Sequence, residues 1–572
     1  MLAGRRVALV CIDPWTAGHD LRPFNYGVRK IQAELLATPG LGADVHLVES
    51  RSRDVDELVD RIEAIDPDII GASTYVWSFP TFFEAARRLK RSRPDRTVIL
   101  GGPSARPEML ALPPYQGAHT HIDALVLGEG EHVFRDLVAL PSRDPGSLAT
   151  LSGTAVATSS GFRTIGDLPR VPVLDDLHSP YQMGLVPDGV QAHLETFRGC
   201  PLACSFCQWG DAEQSTRVFS KEYLVRELHA YRSAGLGGAI LIDAALNLNP
   251  RAFRNLVAAE REVGFLRDTA LDFELYPSHM TDEHTRFLSE VRIGRVGVGL
   301  QSYDKEVLRR LQRPFDAARF DRVVREIASM APVTIEIIMG LPGDTRASFQ
   351  RTFDRARSLP AEVRVFHCLA LPDALMTRLP PGLSIDYDPV SLMVRSCTGW
   401  SEDDLREESE RLSRLMEEVG GWPYESAWTF PGPAFARREP VPNREREATF
   451  GYEDTHTTLP SAMRTALEIG LREATAGAWR LEQATKSPEG VTATVLTPEG
   501  TLTLDLRPAA PGARAYRLVD GVAYSYRPNG ASPTPRTLRT LDAVSTRLRR
   551  LIRSIVIGTA ADHVSLPTTR AS

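Results

Sequence analysis

Three cysteines within one short loop are the residues of this chain best suited to metal chemistry. Cys200, Cys204 and Cys207 follow a C-x3-C-x2-C spacing and are half of the six cysteines in 572 residues. Three thiolates can hold three irons of a [4Fe-4S] cube and leave the fourth iron open. A zinc site is the alternative, but zinc prefers four ligands, and the nearest histidines, His193 and His229, do not complete a usual spacing. The spacing therefore favours an iron–sulfur cluster.

The elements before this loop predict a ligand-binding sheet. Residues 1–145 alternate predicted strands and helices, which is typical of a doubly wound parallel sheet. Ligands of such sheets bind at the carboxyl ends of the strands, where glycines allow close approach of the backbone. The predicted strands are Val7–Ile12, Asp44–Val48, Ile69–Ser73, Thr97–Leu100 and Ala124–Leu127. The candidate binding residues at their ends are Tyr75, Trp77, Gly101, Gly102, Gly128, Glu129 and Gly130.

A second alternation of strands and helices contains the cysteine loop. We expect residues 146–190 to form a polar linker and residues 191–390 to form a partial (β/α)6 barrel. Its predicted strands are the one that leads into the cysteine loop and then Ala239–Ile242, Asp272–Leu275, Arg295–Leu300, Thr334–Met339 and Val363–Leu369. Polar residues and a glycine lie at or near the ends of these strands; they are Asp243, Asn247, Glu274, Gln301, Ser302 and Gly340.

Residues 391–572 are expected to form a C-terminal α+β domain. Helical sequence at Glu402–Val419 precedes an aromatic, Pro-rich stretch at Trp422–Arg438. The pattern then predicts strands within Val491–Tyr526 and a basic helix at Thr537–Ile557. The aromatic residues suit an aromatic or peptide-like substrate, and a hydrophobic core explains them equally well.

The cysteine loop, with Phe206 directly before its last cysteine, resembles the radical S-adenosylmethionine (radical SAM) superfamily. There the open iron chelates the amino and carboxylate groups of SAM, and the strand-end segments of this chain match the family pattern in order. The resemblance implies SAM contacts at Phe206, Asp243, Asn247, Gln301, Ser302 and Gly340. Arg217 is a candidate partner of the SAM carboxylate, since a guanidinium matches it bidentately, or else a surface residue.

Two residues are candidates for a direct part in the reaction. Glu274 ends the third barrel strand, where it would bind the SAM ribose or ligate the open iron. The alternative for Glu274 is a carboxylate at a strand end that only faces solvent. Tyr303 lies just past the fourth strand and is a candidate contact of the substrate.

The N-terminal sheet resembles the Rossmann-like cobalamin-binding domain that precedes the barrel in one radical SAM subfamily. Gly101-Gly102-Pro103 and Gly128-Glu129-Gly130-Glu131 carry this resemblance, whereas the Asp-x-His-x-x-Gly motif that supplies a histidine to cobalt is absent. The resemblance implies bound cobalamin without a histidine ligand, with Tyr75 or Trp77 over its lower face. Core packing of Trp77 and a vestigial domain without cofactor are the alternatives.

The two resemblances together imply a cobalamin-dependent radical SAM C-methyltransferase. Such an enzyme moves a methyl group from SAM through methylcobalamin to a carbon of a small-molecule natural-product precursor, for example tryptophan. An external electron donor of the flavodoxin or ferredoxin type is implied. Ring contraction, cyclisation or rearrangement without net methyl transfer is the alternative. A tRNA methylthiotransferase is disfavoured, because only Cys11 precedes the barrel.

Composition excludes several other classes of protein. The formal net charge of −6 gives no indication of a nucleic-acid surface. The sequence lacks an apolar run of the ~20 residues that a membrane crossing needs. Cysteines that are few and clustered suit a reducing compartment, so a cytoplasmic location is expected.

Overall fold

In a computed structural model, the chain forms two compact units. The first comprises Met1–His46, Arg51–Val59 and Ile65–Glu439, and the second comprises Leu47–Ser50, Asp60–Ala64 and Pro440–Ser572. The structure describes residues 5–13, 24–50, 52–186, 190–209, 216–424, 427–432, 457–458, 471, 478–487, 490–497, 500–508, 518–519 and 522–528.

A seven-stranded sheet forms the N-terminal part. Its strands are β1 (Arg6–Ile12), β2 (Asp44–Ser50), β3 (Ile69–Ser73), β4 (Thr97–Gly101), β5 (Ala124–Val126), β6 (Thr154–Thr158) and β7 (Gly161–Ile165). They lie in the order β2-β1-β3-β4-β5-β6-β7. Strands β1, β3, β4 and β5 pair in parallel, whereas β6 and β7 are antiparallel. The predicted doubly wound fold is confirmed, and the sheet takes two strands from the segment expected to be a linker.

Helices follow the parallel strands as the sequence pattern predicts. They are α1 (Tyr26–Ala37), α2 (Val55–Ile65), α3 (Phe79–Ser92), α4 (Pro107–Leu110), α5 (Gly130–Ala139) and α6 (Pro145–Leu148). In α5, Val133, Phe134, Leu137 and Val138 are buried, so its three- and four-residue apolar spacing becomes one buried face. Short 3-10 turns lie at Pro113–Tyr115, Ala118–Thr120 and Leu174–Asp176.

Six parallel strands form the predicted barrel core. The strands of this region are β8 (Ala192–Leu194), β9 (Phe197–Arg198), β10 (Arg217–Val218), β11 (Gly238–Leu241), β12 (Ala270–Leu275), β13 (Ile293–Gln301), β14 (Val333–Met339) and β15 (Glu362–His367). Strands β8 and β11 to β15 lie side by side in chain order. Strands β9 and β10 form a separate antiparallel pair at the two ends of the cysteine loop.

Helices alternate with the barrel strands and end the central region. They are α7 (Lys221–Ser233), α8 (Pro250–Val263), α9 (Phe265–Asp268), α10 (Asp282–Glu290), α11 (Lys305–Arg310), α12 (Ala317–Ala328), α13 (Arg346–Arg357), α14 (Leu375–Arg378) and α15 (Glu402–Glu418), with a 3-10 turn at Pro277–His279. Side chains cap several of them; Asn249, for example, accepts the amides of Arg251 and Ala252 at the start of α8.

The barrel sheet extends past the boundary expected at residue 390. After the hairpin of β16 (Ile385–Tyr387) and β17 (Val394–Cys397), strands β18 (Trp422–Tyr424) and β19 (Ala427–Phe430) follow. Strand β19 pairs antiparallel with β15, and β18 pairs with β19. Part of the aromatic stretch therefore belongs to this sheet rather than to a separate domain.

The second unit contains a six-stranded antiparallel sheet, as the β-rich pattern predicts. Its strands are β20 (Thr457–Thr458), β21 (Arg480–Ser487), β22 (Gly490–Thr497), β23 (Gly500–Pro508), β24 (Leu518–Val519) and β25 (Val522–Pro528). They lie in the order β20-β21-β22-β23-β25-β24. The helix expected at Thr537–Ile557 lies outside the described residues. Among the residues that are described, no helix is both long and apolar enough to cross a membrane.

Candidate active site

The three cysteines share one loop between β9 and β10. Cys200 and Cys204 are buried, Cys207 is half-buried, and none forms a disulfide. Burial raises the pKa of the Cys200 thiol to about 11, and coordination to iron would remove that proton. Within the described part of the chain, no three His, Cys, Asp or Glu side chains converge on a single ion. Cysteines of a cluster bind different irons, so they need not converge on one point.

Hydrogen bonds hold the backbone of this loop from several sides. The amide of Ser205 donates to the carbonyl of Leu311 at 3.0 Å. Arg378 donates to the carbonyls of Cys204 and Cys207. Such contacts fix the backbone that carries the thiols before any ligand arrives.

Gln208 joins the loop to two other parts of the first unit. Its Nε2 donates to the carbonyl of Pro103, which follows β4, at 3.1 Å. The same nitrogen donates to the carbonyl of Pro372, which follows β15, at 2.9 Å. The cysteine loop is therefore connected to a glycine turn of the N-terminal sheet.

Two arginines at the ends of the loop bind glutamates, two of which, Glu129 and Glu131, lie at the start of α5 beside the N-terminal sheet. Arg198 lies 2.6 Å from a carboxylate oxygen of Glu131, 2.7 Å from Glu195 and 3.5 Å from Glu129. Arg217 forms a bidentate ion pair with Glu129. Because both amino groups of Arg217 are engaged, its expected contact with the SAM carboxylate would require this ion pair to break.

The electrostatics of these ion pairs agree with their geometry. Burial alone would raise the pKa of Glu131, but Arg198 outweighs it, and the net effect lowers that pKa to about 2. Burial also opposes ionisation of Glu129, but its bond to Arg217 and the charge of Arg198 lower its pKa overall. Both glutamates are therefore ionised at neutral pH and attract the ends of the cysteine loop.

Replacing Arg198 by Ala should destabilise the fold strongly. The Arg198 side chain is only 14% exposed, and its loss leaves the carboxylates of Glu131 and Glu195 largely shielded from water without their arginine partner. Breaking such a buried pair costs about 3–5 kcal/mol of unfolding free energy, which urea denaturation of the apo chain would measure. Arg309→Ala is the matched control, because Arg309 pairs with Glu306 in solvent and should give no measurable change. Equal stability of the two variants would contradict the expectation.

A cavity of about 440 Å³ lies at the carboxyl ends of the N-terminal strands. Its wall includes six of the residues predicted to bind cobalamin: Tyr75, Gly101, Gly102, Gly128, Glu129 and Gly130. The cysteine loop contributes Gly199 and Trp209 to the same wall, next to Arg198 at the end of β9. The cavity is therefore shared between the N-terminal sheet and the cysteine loop.

Glycines shape this cavity in two ways. Gly102 has a φ of +89°, and a Cβ there would lie 2.8 Å from the Thr74 carbonyl oxygen, so the turn requires glycine. A Cβ at Gly101 would instead meet nothing closer than Cβ of Val126, at 3.9 Å. The space beside Gly101 is thus open to a ligand, and the glycine-lined wall suits cobalamin.

The two aromatic candidates for the cobalamin face lie together. The rings of Tyr75 and Trp77 stack with centroids 4.5 Å apart and an interplanar angle of 9°. Nε1 of Trp77 donates to the carbonyl of Ile12 at 3.3 Å, and Tyr75 lines the cavity. Trp77 therefore supports Tyr75 from behind, and both half-buried rings stand at the end of β3.

Glu274 lies among other charged groups of the barrel strands. Leu271, Phe273 and Leu275 of β12 join the hydrophobic core, so alternation places Glu274 on the opposite face. Burial, and then the negative charge of Glu336, raise the pKa of Glu274 to about 8. A Cβ at Gly297 would lie 1.9 Å from Oε1 of Glu274, so this glycine makes room for the carboxyl group.

The raised pKa predicts a pH-dependent stability. A carboxyl group whose pKa is higher in the native chain favours folding below about pH 4.5, and this contribution is lost as the pH rises through about 8. Glu274→Gln should remove that loss, so its unfolding free energy should fall less between pH 5 and pH 9 than that of wild type. Glu84→Gln is the control, because the pKa of Glu84 is about 2 and its charge stays constant there. Parallel curves for wild type and Glu274→Gln would refute the prediction.

Asp243 and Asn247 make hydrogen bonds with the backbone of neighbouring segments. Asp243 accepts the amide of Thr196 at 2.9 Å, and burial raises its pKa to about 7. The Asn247 side chain exchanges two 2.9 Å hydrogen bonds with the backbone of Tyr276. Both side chains thus hold the strand ends together, and their contacts with SAM stay predictions.

The other residues predicted to contact SAM lie close to neighbouring parts of the barrel. Ser302 is fully buried and accepts the amide of Asp304, and its neighbour Gln301 has a φ of +68°; their SAM contacts stay predictions. Gly340 has a φ of +87°, and a Cβ there would lie 3.0 Å from Leu405. Phe206 packs, half-buried, against the core.

Tyr303, the predicted substrate contact, is surrounded by side chains of the barrel. Its hydroxyl donates to Asp321 at 2.5 Å, and Arg355 lies over its ring at 4.1 Å. Its ring also makes edge contacts with Phe315 and Phe320. These contacts engage Tyr303 with α12 and α13 and give no support for a substrate contact.

Sequence reasoning missed several residues that surround the cysteines. Arg198 and Gln208 flank the motif and could have been found from that proximity, and so could Trp209, which is 53% exposed. Arg313 and Arg378 approach the loop from distant parts of the chain. No sequence signal marks them, because their spacing from the cysteines is set by the barrel.

Comparison with known families agrees with the two predicted domains. The Radical SAM superfamily profile matches residues 194–356, and the B12 binding domain profile matches residues 31–138. The chain is 29% identical over 316 residues to the "Cobalamin-dependent radical SAM methyltransferase TokK" of Streptomyces tokunonensis, covering 52% of this chain and 45% of TokK. It is 28% identical to the "2-(S-pantetheinyl)-carbapenam-3-carboxylate methyltransferase" of Streptantibioticus cattleyicolor, covering 55% of this chain and 50% of the relative. The matches thus span about half the length of these relatives.

Solved structures show the same fold at low identity. TsrM from Kitasatospora setae, with cobalamin and a [4Fe-4S] cluster bound, superposes with a TM-score of 0.53 at 18% identity, covering 71% of this chain and 91% of TsrM. A second TsrM structure, with tryptophan and the SAM analogue aza-SAM, has a TM-score of 0.53 at 17% identity, with 72% and 89% coverage. Residues 31–138 thus match a B12 binding domain and residues 194–356 match the radical SAM superfamily, and the fold is similar to that of TsrM.

Proposed function

We propose that this chain is an enzyme that transfers a methyl group from SAM to a carbon of a small natural-product precursor, with cobalamin as the methyl carrier. The shared cavity is the observation that carries this proposal: the carboxyl ends of the B12-binding sheet and the cysteine loop form one wall. An enzyme that passes a methyl group between two cofactors needs both within one site, so that the reacting groups are held close. Two relatives named as methyltransferases support the same activity.

The residues present fit both cofactors. Cys200, Cys204 and Cys207 would each ligate one iron of the cluster, and the glycine turns with Tyr75 would line the cobalamin site. When bound, the cluster would supply an electron and an open iron for SAM, and cobalamin would supply a cobalt that accepts and donates a methyl group. We assign the electron to an external flavodoxin or ferredoxin.

The chain itself positions these groups. Gly102 keeps the turn after β4 tight, and Gly101 leaves space for a ligand to approach the backbone. Arg198 and Arg217 hold the cysteine loop against the B12-binding sheet through Glu129 and Glu131. Tyr75, with Trp77 stacked behind it, would cover the lower face of cobalamin, since the chain has no Asp-x-His-x-x-Gly motif to supply a histidine.

The similar proteins suggest two candidate substrates. Tryptophan is one, because the fold is similar to that of TsrM, whose structure contains tryptophan. A pantetheinyl carbapenam is the other, because the carbapenam methyltransferase matches this chain at 28% identity. The last third of the chain carries no motif that distinguishes them.

Deuterated-methyl SAM tests the proposed reaction. Anaerobically reconstituted protein, supplied with cobalamin and a one-electron reductant, is incubated with labelled SAM and with either substrate. We expect a product 3 Da heavier than its unlabelled-SAM counterpart, since all three methyl deuteriums move with the carbon. Equal S-adenosylhomocysteine and 5′-deoxyadenosine would indicate a radical route, whereas S-adenosylhomocysteine alone would indicate a polar route. Products without the label across a broad precursor panel would overturn methyl transfer and favour rearrangement.

A further inference from the structure

One guanidinium group lies between the cysteine loop and the barrel strands. Nη1 of Arg313, in the segment after α11, lies 3.8 Å from Sγ of Cys204. Its Nη2 donates to the carbonyl of Gly299 on β13. The guanidinium also lies over the ring of Tyr276, 5.1 Å from the ring centroid. Arg313 thus contacts the sulfur of Cys204, the backbone of Gly299 and the ring of Tyr276.

The surrounding structure fixes this guanidinium in place. The amide of Arg313 donates to the carbonyl of Leu308 at 2.8 Å, which anchors its backbone to α11. A Cβ at position 299 would lie 3.2 Å from Nη2 of Arg313 and 2.7 Å from Nε2 of Gln301. Gly299 therefore leaves the space that Arg313 occupies, and a larger residue there would displace the guanidinium.

The sulfur that receives this contact is shielded from water. Cys204 is 3% exposed, so solvent provides little competition for a hydrogen bond to its sulfur. An arginine side chain stays protonated in proteins, and a hydrogen bond from a charged donor to an anionic acceptor is stronger than one between neutral groups. Arg313 therefore brings a permanent positive charge to one ligand of the cluster.

We propose that Arg313 raises the reduction potential of the cluster by donating a hydrogen bond to the Cys204 sulfur. The inference rests on the proposed function, because it needs the [4Fe-4S] cluster at these cysteines. The reduction adds one electron from a flavodoxin- or ferredoxin-type donor and makes the cluster more negative. A cationic N–H donor stabilises the more negative state, and cluster potentials depend on hydrogen bonds to the sulfurs and on nearby charge.

A redox titration of the reconstituted protein tests this role. The reduced cluster is followed by electron paramagnetic resonance without SAM, so that no contact between Arg313 and SAM contributes. In Arg313→Gln, the equilibrium constant for reduction of the cluster should be about tenfold smaller than in wild type. This change corresponds to a reduction potential lower by about 59 mV. Arg309→Gln is the matched control, since Arg309 pairs with Glu306 in solvent and should leave the potential unchanged.

Iron and sulfide analysis separates the possible failures. A wild-type chain that takes up no cluster would overturn the proposed function and this inference with it. An intact cluster whose potential is the same in wild type and Arg313→Gln would overturn the inference alone. If Arg313→Gln does not retain a cluster, Gly299→Val decides, because its branched side chain fills the space that the guanidinium occupies beside Gly299, while Arg313 itself is kept. A lower potential in Gly299→Val supports the proposal, and a wild-type potential refutes it.

Discussion

Replacing any one of Cys200, Cys204 and Cys207 by Ala will leave the chain without a stable [4Fe-4S] cluster and without SAM-dependent turnover. Each thiolate would hold a different iron, so no other cysteine of the loop can take over a lost position. Wild type should contain about four irons and four sulfides per chain after anaerobic reconstitution. Each variant should contain less than about a tenth of that, measured by iron and sulfide analysis.

Cys11→Ala is the matched control for this experiment. Cys11 is 1% exposed in β1 of the N-terminal sheet, so its loss removes a buried thiol without touching the loop. The control should therefore retain the iron and sulfide of wild type. Tight zinc without sulfide in the native protein would contradict the cluster assignment, and so would an unchanged iron content in all three variants.

Gly101→Leu will abolish cobalamin binding while the protein remains folded. Gly101 lines the cavity, and the atom nearest to a Cβ at this position would be Cβ of Val126, 3.9 Å away. The new side chain can therefore enter the cavity without displacing the backbone. Its branched end then occupies space that the cofactor needs. We expect cobalamin affinity to fall at least about 100-fold, or about 2.7 kcal/mol, measured by equilibrium dialysis with absorbance detection.

Ala111→Leu separates blocking of the cavity from a general effect of added bulk. Ala111 follows α4 in the same domain and is exposed, so the same side chain points away from the cavity. This control should bind cobalamin as wild type does, and thermal unfolding should show both variants to be folded. Full cobalamin affinity in Gly101→Leu would show that the cofactor does not use this cavity.

The spectrum of bound cobalamin also bears on the aromatic pair. Without a histidine on cobalt, we expect a base-off spectrum, and Tyr75 would face the cofactor while Trp77 supports it. Histidine hyperfine coupling to Co(II) would contradict this arrangement. The sequence places two aromatic residues two positions apart, but it does not show which ring faces the cavity.

Hydrophobic periodicity was sufficient to predict most of the architecture. The five predicted N-terminal strands and the parallel barrel strands are present, since alternating strands and amphipathic helices bury their apolar faces in few ways. The expected linker and the boundary at residue 390 were less accurate. Strands β6, β7, β18 and β19 join existing sheets at their edges, and edge pairing depends on partners distant in the chain.

Residue type alone does not assign the role of a polar side chain at a strand end. Asp243 and Asn247 have the polarity expected of ligand-binding residues, but their side chains satisfy nearby backbone groups. Ser302 is also fully buried, and its hydroxyl oxygen accepts the amide of Asp304. A buried polar group at a strand end must find a partner, and the nearest backbone is often that partner.

The sequence by itself determined the cysteine loop, the glycine turns and the order of the two domains, because these depend on residues adjacent in the chain. Only the tertiary structure decided which charges surround them. Arg198 and Arg217 bind glutamates at the start of α5, and Arg313 reaches Cys204 from a segment more than a hundred residues away. The physical reason is that ion pairs and hydrogen bonds require distances of a few ångströms, which folding creates and sequence separation does not reveal.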